Sequence, residues 1–126
     1  MENAPTAIII EDDPTLTTIC DRALTSSGFN TTIVVDGKVA IEHINEVRPN
    51  LVLLDLHLPH VSGEAILKHI RLDSHLKETQ VIIISADAVL AKFLQHDADL
   101  VLNKPVSYHQ LRRLSQRLHS TYTNSA

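Results

Sequence analysis

Four short apolar runs are spaced along the chain, and each ends on residues that carry ionisable, hydroxyl or amine chemistry. Ala7-Ile8-Ile9-Ile10 leads into Glu11-Asp12-Asp13, and Leu51-Val52-Leu53-Leu54 leads into Asp55. Val81-Ile82-Ile83-Ile84 leads into Ser85, and Leu100-Val101-Leu102-Asn103 leads into Lys104-Pro105. Runs this short, rich in Ile and Val and without polar alternation, are the pattern of parallel strands buried on both faces. The β-branched stretch Thr31 to Val35 predicts one more strand, second in chain order.

Between the runs the apolar period changes to that of a helix. Pro14 stands where a helix can start, because a missing N–H costs nothing there. Leu16, Ile19, Cys20, Ala23 and Leu24 follow on one face, and Gly28 ends the element. Asp36-Gly37 reads as a turn before a helix with Ala40, Ile41 and Ile44 inward, closed by Pro49. Ser62-Gly63 opens a third helix carrying Ile66, Leu67 and Ile70. Ala88 to Gln95 predicts a short fourth helix, and Leu111, Leu114 and Leu118 line a fifth. No apolar anchor follows Tyr122, so the core is expected over about 7–119 and fraying over 120–126.

Strands alternating with helices make an α/β domain with a parallel sheet. Right-handed crossovers leave few topologies, and the doubly wound, five-stranded, flavodoxin-like order 2-1-3-4-5 is expected, with a shortened fourth helix. In such a sheet the ligand crevice lies beyond the carboxyl ends of the strands, which is where all four run-ending groups fall. Strands one and three are then neighbours, so Asp12 and Asp55 meet at the switch point.

At 126 residues the chain has the length of a single domain, 1–126. A net charge of -4 argues against nucleic acid or an anionic membrane as the main partner. Cys20 is the single cysteine, which excludes an internal disulfide and fits a reducing cytoplasm. No segment has the length of a membrane span, and Met1-Glu2-Asn3 lacks the basic start of a signal peptide.

Asp12 and Asp55 facing each other repel unless they share a proton or a cation. Glu11 adds a third carboxylate, and oxygen-only ligands with room for water suit Mg²⁺. Taken singly, each acid reads as a turn residue or helix cap; three at one edge, each after an apolar run, favour the cation site. Lys104 is placed to reach back across the sheet edge toward an anion. Ser85 either ends its strand by bonding backbone or donates its hydroxyl to a phosphoryl oxygen.

These segments, in this order and spacing, resemble the receiver domain of two-component response regulators over about 7–119. The resemblance rests on Ile-Ile-Ile-Glu11-Asp12-Asp13-Pro14, Leu-Val-Leu-Leu-Asp55-Leu-His-Leu-Pro59 with Ser62-Gly63, Ile-Ile-Ile-Ser85-Ala86, and Asn103-Lys104-Pro105. It implies that Asp55 is the phosphoacceptor and takes its phosphoryl group from a phosphohistidine of a histidine kinase or histidine phosphotransfer protein. It implies Asp12, Asp55 and the backbone carbonyl of His57 as direct Mg²⁺ ligands, with Glu11 acting through a bound water. Ser85 and Lys104 would bind the phosphoryl oxygens. Such a protein is a signalling phosphoacceptor that catalyses only its own phosphorylation and dephosphorylation. The His57 side chain is expected to point outward and, with Asp87, to govern the access of water to the acyl phosphate.

Two features depart from the family's pattern. Receivers usually carry an aromatic three positions before the lysine, where this chain has Val101, and aromatics make up only 3% of it. The stretch from Ser85 to Lys104 is also shorter than usual. Helix four, strand five and helix five commonly form the output face, and the last two helices commonly form a homodimer. With no effector domain after the last helix, output is expected through contacts with another protein. The second reading is therefore a receiver-like module that works by binding alone. A haloacid-dehalogenase-like phosphatase would need an acid two residues after Asp55, where His57 stands. A flavin site would need a Gly, Ser or Thr-rich loop after strand one, where the chain is acidic.

Overall fold

The computed structural model describes residues 4–123. β1 (Thr6–Ile10), β2 (Asn30–Val34), β3 (Leu51–Asp55), β4 (Gln80–Ser85) and β5 (Leu100–Asn103) form one parallel sheet in the order 2-1-3-4-5. Between and after them lie α1 (Pro14–Ser26), α2 (Gly37–Val47), α3 (Gly63–Leu72), α4 (Ala88–Leu94) and α5 (Tyr108–Thr123). The expected fold and the short fourth helix are both present.

Successive residues of a strand point to opposite faces, which explains the unbroken apolar runs. Ile8 and Ile10 of β1 join Val52 and Leu54 of β3 in a core closed by Ile44, Ile66, Leu67, Ile70 and Leu94 from α2, α3 and α4. Ala7 and Ile9 join Leu51 and Leu53 in a second core closed by Leu16, Cys20, Leu24 and Leu111 from α1 and α5. The runs of β1, β3 and β4 therefore face helices on both sides, whereas β5, expected to be buried on both faces, is the other outer strand and leaves Leu100 exposed; each run's polar terminal residue is carried to the end of the sheet. β2 is an outer strand, and most of its side chains are partly or fully exposed.

Local chemistry sets the helix boundaries. Asp13, Asp36 and Ser62 each cap a helix, accepting a backbone N–H from Thr15, Lys38 and Ala65 respectively. Gly28, at φ +103°, follows the end of α1, and Arg48 in the left-handed region closes α2 before Pro49. β2 runs one residue earlier than the sequence predicts, so Val35 lies outside it.

Past Ser120, where fraying is expected, the chain is helical as far as Thr123. Tyr122 anchors this end of α5: its one hydroxyl proton is shared between the Asn50 carbonyl, at 3.0 Å, and Gln80 Oε1. The Tyr122 ring also meets Phe29 edge to face, at 6.0 Å between centroids. The last three residues of the expected frayed tail lie outside the described residues. Among the described residues, no helix is long and apolar enough to cross a membrane.

Candidate functional site

The parallel register places the run-ending groups side by side. Ile10 of β1 pairs with Leu54 of β3, so the residues that follow them, Glu11 and Asp55, leave the sheet together. Asp55 pairs with Ile84, one residue before Ser85, and Ser85 pairs with Asn103, one residue before Lys104. The Lys104 N–H donates to the Ser85 carbonyl at 2.9 Å, which fixes the start of the β5–α5 connection, where Lys104-Pro105 is cis.

Glu11 and Asp55 are each only 4% exposed, whereas Asp12 is exposed. Glu11 Oε2 accepts the N–H groups of Asp12 and Asp13 at 3.0 and 3.1 Å. Its other oxygen, Oε1, is buried without a hydrogen bond and faces Lys104 Nζ at 3.1 Å. The same ammonium lies 3.6 Å from Asp55 Oδ1, and that oxygen accepts the N–H of His57 at 3.3 Å. One carboxylate oxygen from each of Glu11, Asp12 and Asp55 lies within 4.8 Å of the others.

Burial pushes the Glu11 carboxyl up to about 7, the Asp13 N–H opposing it, the Asp55 charge adding to it and Lys104 drawing it down. For Lys104, burial works to lower the pKa. The contact with Glu11 and the charge of Asp55 outweigh burial and hold the ammonium above its ordinary value. The site is thus a cluster of oxygen anions answered in part by one cation. Three carboxylates with only Lys104 to offset them and an open side at Asp12 fit a hard cation that keeps some of its water, as Mg²⁺ does.

Ser85 is fully buried, and its hydroxyl accepts the Asp87 N–H at 2.9 Å and meets the Asp87 carbonyl at 3.4 Å. The backbone-bonding alternative for Ser85 is therefore the arrangement in the structure. The His57 side chain is 63% exposed and points outward, with Nε2 3.8 Å from Asp87 Oδ2. Asp87 also caps α4 through the Leu90 N–H. His57 and Asp87 together span the mouth of the site between the β3 and β4 ends.

Several residues that shape the site carry little signal in the sequence. A side chain at Gly63 would place its Cβ 2.3 Å from the Asp55 carbonyl oxygen, so this glycine lets α3 start directly against the β3 end. A glycine just inside a helix, where most residues are favoured over it, was the available clue. Asp36 reads as a turn residue, yet its Oδ2 lies 2.7 Å from His60 Nδ1. A pair 24 residues apart becomes visible only once the loop after β3 is laid against α2.

The response regulator receiver domain family matches residues 7–116. The DNA-binding response regulator MtrA of Mycolicibacterium smegmatis is 33% identical over 109 residues, covering 82% of this chain and 46% of the relative. The chain thus spans less than half the length of that curated relative. The signal receiver domain of a LuxO repressor protein from Vibrio parahaemolyticus superposes with a TM-score of 0.83 at 27% identity, covering 95% of this chain and 93% of that one. The receiver domain of a sensor histidine kinase from Pseudomonas aeruginosa superposes with a TM-score of 0.80 at 27% identity, covering 93% and 98%; it has a magnesium ion coordinated in its active site cleft.

Proposed function

Because the chain belongs to the response regulator receiver domain family, we propose that it is the Mg²⁺-dependent phosphoacceptor of a two-component phosphorelay, with Asp55 taking the phosphoryl group. The donor is a phosphohistidine on a histidine kinase or histidine phosphotransfer protein. Signalling onward runs through protein contacts in the cytoplasm, and we assign these residues no contact with nucleic acid or membrane.

Asp55 attacks phosphorus with one carboxylate oxygen. The P–N bond to the donor histidine breaks, the imidazole leaves with the bonding pair, and an acyl phosphate remains on Asp55. Such a transfer asks for alignment and charge neutralisation more than for covalent help from the protein. Glu11, Asp12 and Asp55, with the His57 backbone carbonyl, would hold Mg²⁺, which neutralises charge on the transferring group. Lys104 turns its ammonium from the Asp55 carboxylate to the phosphoryl oxygens, a small movement for a side chain already 3.6 Å away. Ser85 releases Asp87 and donates to another phosphoryl oxygen.

The observation that carries this reading is Lys104 Nζ, 3.1 Å from Glu11 and 3.6 Å from Asp55, beside a cluster of three carboxylates. The test is intact-protein mass after incubation with acetyl phosphate, with and without Mg²⁺. Wild type gains one phosphoryl group only with Mg²⁺, and Asp55→Asn gains none. Label persisting in Asp55→Asn would remove Asp55 from its role.

Two observations favour the second reading, a module that acts by binding alone. Val101 is half-buried where receivers usually carry the aromatic, and α4 has only 7 residues. Absence of label on a wild-type protein that binds Mg²⁺ would favour that reading.

A further inference from the structure

The loop between β3 and α3 carries His57 and is held at three places. Gly63 N–H donates to the Leu56 carbonyl at 3.2 Å at its far end. Gly37 N–H meets the Pro59 carbonyl at 3.5 Å, and a Cβ on Gly37 would stand 2.5 Å from the Val61 carbonyl oxygen, so the start of α2 lies directly on the loop. The third hold is the side-chain hydrogen bond between His60 Nδ1 and Asp36 Oδ2, at 2.7 Å. Asp36 has its other oxygen, Oδ1, on the Lys38 N–H at 2.8 Å, which fixes its orientation as the cap of α2.

His60 has φ +71°, in the left-handed region that glycine adopts without strain and other residues do not. Its ring is 69% exposed, so apolar burial does not account for it. What the imidazole gains over a glycine there is the contact with Asp36. Strained residues held by a specific contact beside a reactive centre are the pattern of a positioning device.

We propose that Asp36 and His60 form a clasp that positions the His57 segment of the loop for the cation site, so that the clasp sets the affinity of the site for Mg²⁺. This rests on the Mg²⁺ site of the preceding section. Neither residue touches the carboxylate cluster through any contact described here, and both act through the loop. With the clasp open, the loop backbone must be ordered when the cation binds, and that ordering weakens binding.

The variant that separates positioning from folding is His60→Gly, which removes the clasp and also removes the left-handed strain. Its thermal stability is expected to match wild type or exceed it. Its affinity for Mg²⁺, titrated by calorimetry on the full chain, is expected to fall about two- to fivefold, the range of one partly exposed hydrogen bond. Amide hydrogen exchange over 56–62, measured without any cation, is expected to rise. Asp36→Asn, which keeps an oxygen for the α2 cap, should weaken Mg²⁺ to a similar extent. The double variant should be no weaker than either single one, because both remove the same contact. Unchanged exchange and unchanged affinity in His60→Gly would overturn the clasp while leaving the Mg²⁺ site standing. No Mg²⁺ binding by wild type would overturn both.

Discussion

Cys20 lies in the inward row of α1, and its thiol is pushed up to about 12, first by burial and then by the nearby Glu11 charge. Folding therefore favours the neutral thiol. Its contribution to stability is fully present below the ordinary thiol value near 9 and is lost as pH rises through about 12. At pH 8 the native thiolate fraction is far below that of the unfolded chain. Alkylation by iodoacetamide at that pH should be very slow for the native protein and fast in urea; equal rates would mean that α1 opens readily. The inward position of Cys20 was legible from helical spacing alone. Asp55 and Lys104 were legible as well, because a polar residue ending a buried run has one direction in which to leave the sheet. The bonding of the Ser85 hydroxyl to Asp87 was not, since a hydroxyl rotor follows local geometry that no spacing encodes.

At the scale of elements, the reactive end of β3 depends on how closely α3 begins behind it. Gly63→Ala tests this with two opposing effects of known size. Alanine is favoured over glycine within a helix by about 1 kcal/mol. Its Cβ, however, would meet the Asp55 carbonyl oxygen at 2.3 Å and Leu56 Cα at 2.6 Å, and backbone atoms cannot swing away as a side chain can. Overpacking of this kind costs about 1–3 kcal/mol or more. A lower urea midpoint is therefore expected, with slower phosphorylation if Asp55 is the acceptor proposed above, because the displaced atoms belong to Asp55 and its neighbour. A higher midpoint would mean that propensity wins and that the approach of α3 is adjustable. Helix starts were readable from Pro14 and Ser62, whose chemistry is local. The end of α5 was not, because Tyr122 is held by Asn50, Gln80 and Phe29, which come from three other parts of the chain.

Across the whole molecule, two cores lock the sheet from both faces while its carboxyl edge gathers charge that the cores cannot relieve. The chain carries a net charge of -4, and Glu11, Asp12 and Asp55 converge at that edge with Lys104 as the nearby cation. The fold thus holds a local repulsion that a bound cation removes. Whatever binds only the folded state stabilises it by mass action, by about 2–3 kcal/mol at a hundredfold excess over Kd. For a domain of this size that is a rise of several degrees in Tm. Mg²⁺ should produce this rise in wild type, and chelation should reverse it. Matched ionic strength from NaCl should give much less, because screening acts weakly on a buried pair such as Glu11 and Asp55. The double variant Glu11→Gln, Asp12→Asn should lose the Mg²⁺ response. Its cation-free form should stay close to wild type in stability, since an amide at Glu11 removes a charge that burial disfavours but also takes a partner from Lys104, which keeps Asp55. An equal rise with NaCl, or a full Mg²⁺ response in the double variant, would place the cation elsewhere and leave the acidic edge as a matter of folding alone.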